Sequence, residues 1–166
     1  MKKNIIKRTV LSLVAQRVLL KQFHPDGEGV IGPSAKGRRL RWHQFIRPHA
    51  LGAKYLIELR YAEGHRPIVL VKAPDIQALA GNRKLPHTFR KVECYPSLCL
   101  WWQGEWDPTK PVATTVVPWA GEWFWFFEHW LVCGEWLGGG MHPTKILTPD
   151  PSDVSNLPPE YPLHAA

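Results

Sequence analysis

A chain of 166 residues is long enough for one domain with a single core, and 16 prolines set aside an all-helical bundle. The formal net charge of +7 draws the protein toward nucleic acid, anionic surfaces or an acidic protein partner without choosing among them. Three cysteines and no Cys-x-x-Cys pair argue against a disulfide framework and leave free thiols in a reducing cytosol.

From Asn4 to Phe23 the residues Ile6, Val10, Leu13, Val14, Val18 and Leu20 recur at helical spacing, with Lys7, Arg8, Arg17 and Lys21 elsewhere on the wheel. That pattern predicts an amphipathic helix. Met1-Lys2-Lys3 before an apolar stretch has the look of a secretory leader, but Lys7, Arg8, Gln16 and Arg17 interrupt it and no small-residue cleavage site follows. The chain has no uninterrupted apolar run of about 18 residues, so no membrane span and a cytoplasmic location are expected.

Pro25-Asp26-Gly27 supplies the turn that ends this helix, and 29–37 reads as an irregular connection. Three strands are predicted at 39–46, 54–61 and 67–72, rich in Trp, Phe, Tyr, Ile and Val. The links between them, Pro48 to Gly52 and Glu63-Gly64-His65, are short enough for an antiparallel meander. The segment 73–86 reads as a loop with a helical turn at 75–80, and 89–102 as a fourth short strand or an extended loop around Cys99. A helix is predicted from Thr114 to Trp136, with Thr114 or Thr115 as its cap, Pro118 in its first turn and Gly138-Gly139-Gly140 at its end. Most of the nine tryptophans fall between Trp101 and Trp136, so this helix is either centrally buried or docks a partner on one face. The prolines at 143, 149, 151, 158, 159 and 162 predict an extended tail. The fold class is therefore α+β, with a domain over 1–143 and a Pro-rich tail over 144–166.

A cysteine becomes an acyl carrier when its thiolate attacks an activated carbonyl, giving a thioester that an amine opens in a second step. On composition alone Cys99, between Leu98 and Leu100, is a small core hydrophobe. Order and spacing over a longer stretch favour the nucleophile. Leu85-Pro86-His87 is followed by Ser97-Leu98-Cys99-Leu100-Trp101-Trp102, then Thr115-Val116-Val117-Pro118-Trp119, then Gly134-Glu135-Trp136. This series resembles the ubiquitin-conjugating fold, and most closely the E2-like proteins of bacterial CBASS antiphage operons. The resemblance covers Leu85 to about Pro143, with the first helix and the meander before it in the expected order.

The resemblance implies that Cys99 accepts the acyl group and that His87 matches the His of the family's His-Pro-Asn motif, either pinning the loop by hydrogen bonds or transferring a proton. Thr88 and Phe89 stand where that motif has Pro and Asn, which leaves the oxyanion donor to the Thr88 hydroxyl or to backbone N–H groups near Cys99. Cys94, five residues before Cys99, is either an incidental thiol or an assisting one that exchanges covalent partners with it. Cys133 reads as packing inside the aromatic helix. Glu105 and Asp107 are solvated loop charges or help deprotonate an incoming amine, and Glu122, Glu128 and His129 would need partners if buried.

The resemblance further implies a short, stand-alone form without a fused activating domain. Its conjugated partner would be a cGAS-like cyclic-oligonucleotide synthase (CD-NTase), joined through its C-terminus to lysine acceptors. No cofactor or metal is expected. Two rival readings remain open. A zinc site could draw on Cys94, Cys99, Cys133, His87, His129 and His142, although none of the cysteines is paired at zinc-ligand spacing. A nucleic-acid surface could draw on Lys36, Arg38, Arg39 and Arg41 with exposed tryptophans.

Overall fold

The computed structural model describes residues 9–35 and 37–139. The expected helix start at Asn4, Lys36, the glycine at 140, His142 and the Pro-rich segment 144–166 lie outside the described residues.

Helix α1 spans Leu13–Phe23, shorter than its apolar periodicity predicts. Ser12 sets the start, because its side-chain oxygen accepts the Ala15 N–H at 3.2 Å as an N-cap, and the residue before it donates from Leu11 N–H to the Pro108 carbonyl at 3.1 Å. Gln16 is fully buried on this helix. Its amide donates to the Lys110 carbonyl at 3.1 Å and accepts the Val112 N–H at 2.9 Å, which fastens α1 to the loop ahead of the last helix. His24 Nε2 lies 2.8 Å from the Ala113 carbonyl and extends the same seam.

Six antiparallel strands follow: β1 Glu28–Ser34, β2 Gly37–Ile46, β3 Tyr55–Tyr61, β4 Ile68–Ala73, β5 Thr88–Val92 and β6 Tyr95–Leu98. The expected irregular connection over 29–37 is instead mostly edge strand β1, paired with β2 from Glu28↔His43 to Ser34↔Gly37. The glycines there look like turn chemistry but serve close approach. A Cβ at Gly29 would lie 2.6 Å from the Arg41 carbonyl oxygen and 2.7 Å from the Trp42 ring, so only glycine lets that indole cross β1.

Strands β2 to β4 form the expected meander, β1 extends it at one edge, and the sheet order is β1-β2-β3-β4-β6-β5. After β4 the chain passes through the short helix α2, Ile76–Ala80, whose N-cap Asp75 accepts N–H groups from Gln77 and Ala78. It then runs out to the sheet edge as β5 and returns as β6 beside β4, with Leu70 opposite Ser97. The β5–β6 turn places Glu93 and Cys94 at φ 50° and 71°, the paired positive φ that a two-residue hairpin turn requires.

Helix α3 spans Val116–Cys133. It carries Pro118 in its first turn as expected, but Thr115 makes no side-chain cap: its hydroxyl donates to the Pro111 carbonyl at 2.7 Å. The helix ends at Gly134, in the left-handed region at φ 78°, ahead of Gly138 and Gly139. Along β3, residues 55, 57, 59 and 61 point toward α3 and are buried with Phe124, Phe127 and Trp130. Tyr55 stacks on Phe124 with ring centroids 4.1 Å apart. Burying each such side chain contributes roughly 1.5–3 kcal/mol. The other face of β3 carries Glu58 and Arg60, both buried and joined by two hydrogen bonds of 2.8 and 3.1 Å.

Candidate active site around Cys99

Cys99 follows the last residue of β6, so its backbone is fixed by the sheet on one side and free to turn on the other. Its N–H donates to the His87 carbonyl at 2.9 Å. That bond joins two residues twelve apart in sequence. His87 lies just before β5 at φ 44°, a left-handed conformation that histidine tolerates better than most residues. The same carbonyl also accepts the indole N–H of Trp123 at 3.1 Å, so the middle of α3 reaches the loop that holds Cys99.

The His87 side chain is buried and stacks on Trp136, with ring centroids 5.0 Å apart and planes at 26°. Trp136 in turn lies 5.6 Å from Trp123 and 5.7 Å from Phe126. Beyond Cys99, Trp101 packs 5.9 Å from Trp119 and 6.1 Å from Trp106. The Trp-rich helix therefore approaches the loop of the cysteine through the face that carries Trp119 and Trp123. Its outward stripe is Glu122, Trp125 and His129, where Trp125 and His129 stack on each other 6.0 Å apart.

Cys99 is half-buried, and burial in these apolar surroundings pushes its thiol up to about 12. At neutral pH only about one molecule in 10⁵ then carries a thiolate at this position. The arrangement holds a protonated sulfur in place and withholds ionisation until a base or a bound partner changes its surroundings.

Cys94 is not brought to Cys99. It is exposed in the β5–β6 turn, at the opposite end of β6, with roughly 13 Å of strand between the two. Direct exchange between the two sulfurs would require β6 to leave the sheet. The packing role expected for Cys133 is also corrected: this residue is exposed at the end of α3, where its sulfur approaches the Glu135 carbonyl at 3.4 Å.

The Thr88 hydroxyl and one of the backbone N–H groups near Cys99, donors expected for the oxyanion, are engaged. The Thr88 hydroxyl donates to the Leu85 carbonyl at 3.4 Å, and the Cys99 N–H to His87. Glu105 accepts the Trp102 N–H at 2.7 Å and Asp107 the Thr109 N–H at 2.8 Å, which organises the loop beyond the cysteine. Glu128 takes the Ala53 N–H at 2.7 Å, the Tyr55 hydroxyl at 3.0 Å and the His49 ring at 2.7 Å, and so ties the β2–β3 connection to α3. Among the described residues no three His, Cys, Asp or Glu side chains assemble as a metal-binding group, and no helix is long and apolar enough to cross a membrane.

Sequence reasoning missed Trp123 as a partner of the site and Gln16 as its remote brace.

Fold and site together define an α+β protein in which a half-buried cysteine is held by its backbone against a histidine loop and backed by an aromatic helix, an arrangement consistent with E2-like conjugating proteins. A family model described as the type II CBASS E2 protein matches residues 18–143, more than half of the chain. The chain belongs to that family, E2-like proteins of bacterial antiviral defence. No curated protein matches it.

Proposed function

We propose that Cys99 carries the C-terminus of a partner protein, a cGAS-like cyclic-oligonucleotide synthase of the same operon, as a thioester and passes it to a lysine amine in the bacterial cytoplasm. The donor enters with its terminal carboxyl already activated, as an acyl-adenylate or an equivalent anhydride or ester. The Cys99 sulfur loses its proton to a base, bonds to the carbonyl carbon and expels the activating group. A deprotonated lysine amine then attacks the same carbon; the C–N bond forms, the C–S bond breaks, and the sulfur leaves as thiolate to be reprotonated.

One observation supports this reading: the Cys99 N–H bonds the carbonyl of His87, so the two residues that the sequence resemblance singles out are joined through the backbone. His87 is a positioning residue here, because its carbonyl engages the nucleophile's backbone while its ring is packed under Trp136. The raised thiol suits a carrier that must not react indiscriminately before its donor arrives. Cys94 is assigned no step, since β6 separates it from the reacting sulfur.

The test is co-expression with the neighbouring synthase, followed by mass spectrometry of the conjugates. Cys99→Ala abolishes the conjugate, and Cys99→Ser accumulates an oxygen ester that hydroxylamine cleaves. Persistence of the same conjugate in Cys99→Ala, with no ester in Cys99→Ser, overturns the assignment.

A further inference from the structure

We infer that Trp123 is a positioning residue for Cys99: its indole N–H, shared with the Cys99 amide on the His87 carbonyl, fixes the height and direction from which the sulfur meets its acyl donor. The inference rests on the thioester reading for its catalytic consequence, but not for its geometry.

The backbone of the His87 loop is held at φ 44°, which costs energy for any residue with a Cβ and persists only when the surroundings over-determine it. Two donors do so. The Cys99 N–H at 2.9 Å comes from the sheet side and the Trp123 Nε1–H at 3.1 Å from α3, both to one oxygen. Cys99 is the first residue beyond β6, so the strand ladder no longer fixes it, and this bond is what continues the strand's hold. Removing the indole donor leaves the His87 carbonyl short of a partner in a buried setting, and the peptide plane can then rotate. The Cys99 amide would move with it.

Trp123 is itself held with little freedom. Its ring is buried, stacks on Phe127 at 5.2 Å with planes 15° apart, meets Phe124 edge-on at 5.4 Å, and touches Trp136 on the side that covers His87. A rotation of this indole large enough to lose the bond would disturb all three contacts. The donor is therefore preorganised, as positioning requires, and no reorganisation is needed when the donor substrate binds.

Two variants separate this role from simple packing. Trp123→Phe keeps an aromatic ring against Phe127 and Phe124 but has no N–H. Trp42→Phe makes the same indole-to-phenyl change at another buried tryptophan, in β2, whose N–H donates to Gln44 Oε1 at 2.7 Å and which is not one of the rings that hold Trp123. Both are first compared by thermal melting, and all rates are measured well below the lower transition.

In the full protein with its synthase partner, Trp123→Phe lowers the saturating rate of thioester formation about tenfold and leaves the half-saturating donor concentration unchanged. Trp42→Phe keeps the wild-type rate even where its melting temperature falls as far. Independently of any donor, the pH profile of Cys99 alkylation by iodoacetamide, followed by peptide mass mapping, moves to lower pH in Trp123→Phe as the loosened loop admits water, and stays in place in Trp42→Phe. A wild-type rate and profile in Trp123→Phe overturns the inference, as does an equal change in both variants. If the wild type itself forms no thioester while the Trp123→Phe profile moves as stated, the thioester reading fails and the positioning of Cys99 by Trp123 stands.

Discussion

The two ends of strand β6 carry a cysteine each and treat it in opposite ways. At one end Cys94 sits exposed in a tight turn, beside Glu93 and the ion pairs that Arg60 makes with Glu93 and Glu58. At the other, Cys99 is held by its amide to the His87 carbonyl, and burial raises its thiol. Accessible thiols are easy to find chemically; a carrier thiol is distinguished by being held. On the proposed function, the sulfur that receives the donor is the one raised by burial and not the exposed one.

The sharpest way to break the comparison is to ask reactivity directly. With iodoacetamide at pH 7.5, Cys94 and Cys133 are expected to alkylate at least ~100-fold faster than Cys99, because both are exposed to the reagent, while the thiolate is the attacking species and burial pushes the Cys99 thiol up to about 12. Time-resolved peptide mass mapping reads all three rates in one sample. Equal rates at Cys94 and Cys99 would dissolve the distinction between the two ends.

The ion pairs at the Cys94 end offer the second test. Burial works to raise the Glu58 carboxyl, but the hydrogen bonds and charge of Arg60, with Lys72 at 3.3 Å, outweigh it and hold the carboxyl below its ordinary range. Arg60→Met leaves Glu58 buried with only part of its compensation and is expected to cost about 3 kcal/mol in urea unfolding. The sign with pH follows. A carboxyl held low in the folded state stabilises fully above its ordinary value and loses that contribution as pH falls through its folded value, so the gap between wild type and Arg60→Met narrows in acid. Alkylation of Cys99 should not change in this variant. If it speeds up as Cys94 does, the two ends are one cooperative unit rather than two environments.

The meander and the aromatic helix were legible because their signals are local: β-branched and aromatic runs between turn residues, and a long apolar segment with a proline near its start. Strand β1 was not, since Gly29, Gly32 and Pro33 mimic a loop when their purpose is to lie beside Trp42 and at a sheet edge. The reversal of β5 and β6 was equally hidden, for pairing order depends on contacts across the sheet that no window of sequence contains. Within the site, Cys99 and His87 were legible as candidates, on the strength of the resemblance. Their junction through a main-chain carbonyl was not, because it depends on a backbone angle, and the Trp123 bond depends on a helix face whose rotation is fixed by packing.

The smallest expected effect probes that backbone angle. At φ 44° a glycine meets no steric penalty, while an alanine carries about 1–2 kcal/mol of strain. His87→Gly and His87→Ala both delete the ring and its stacking on Trp136, so the difference between them isolates the conformation of the loop. If His87 serves Cys99 through its carbonyl, His87→Gly is the more stable of the pair by about 1 kcal/mol and retains several-fold more thioester formation. If the imidazole transfers a proton, the two variants lose activity alike and the loss deepens toward the pH at which the ring is needed. Urea unfolding and single-turnover thioester formation on the same two preparations decide between these outcomes, because the first reads only the strain and the second reads whether that strain reaches the sulfur.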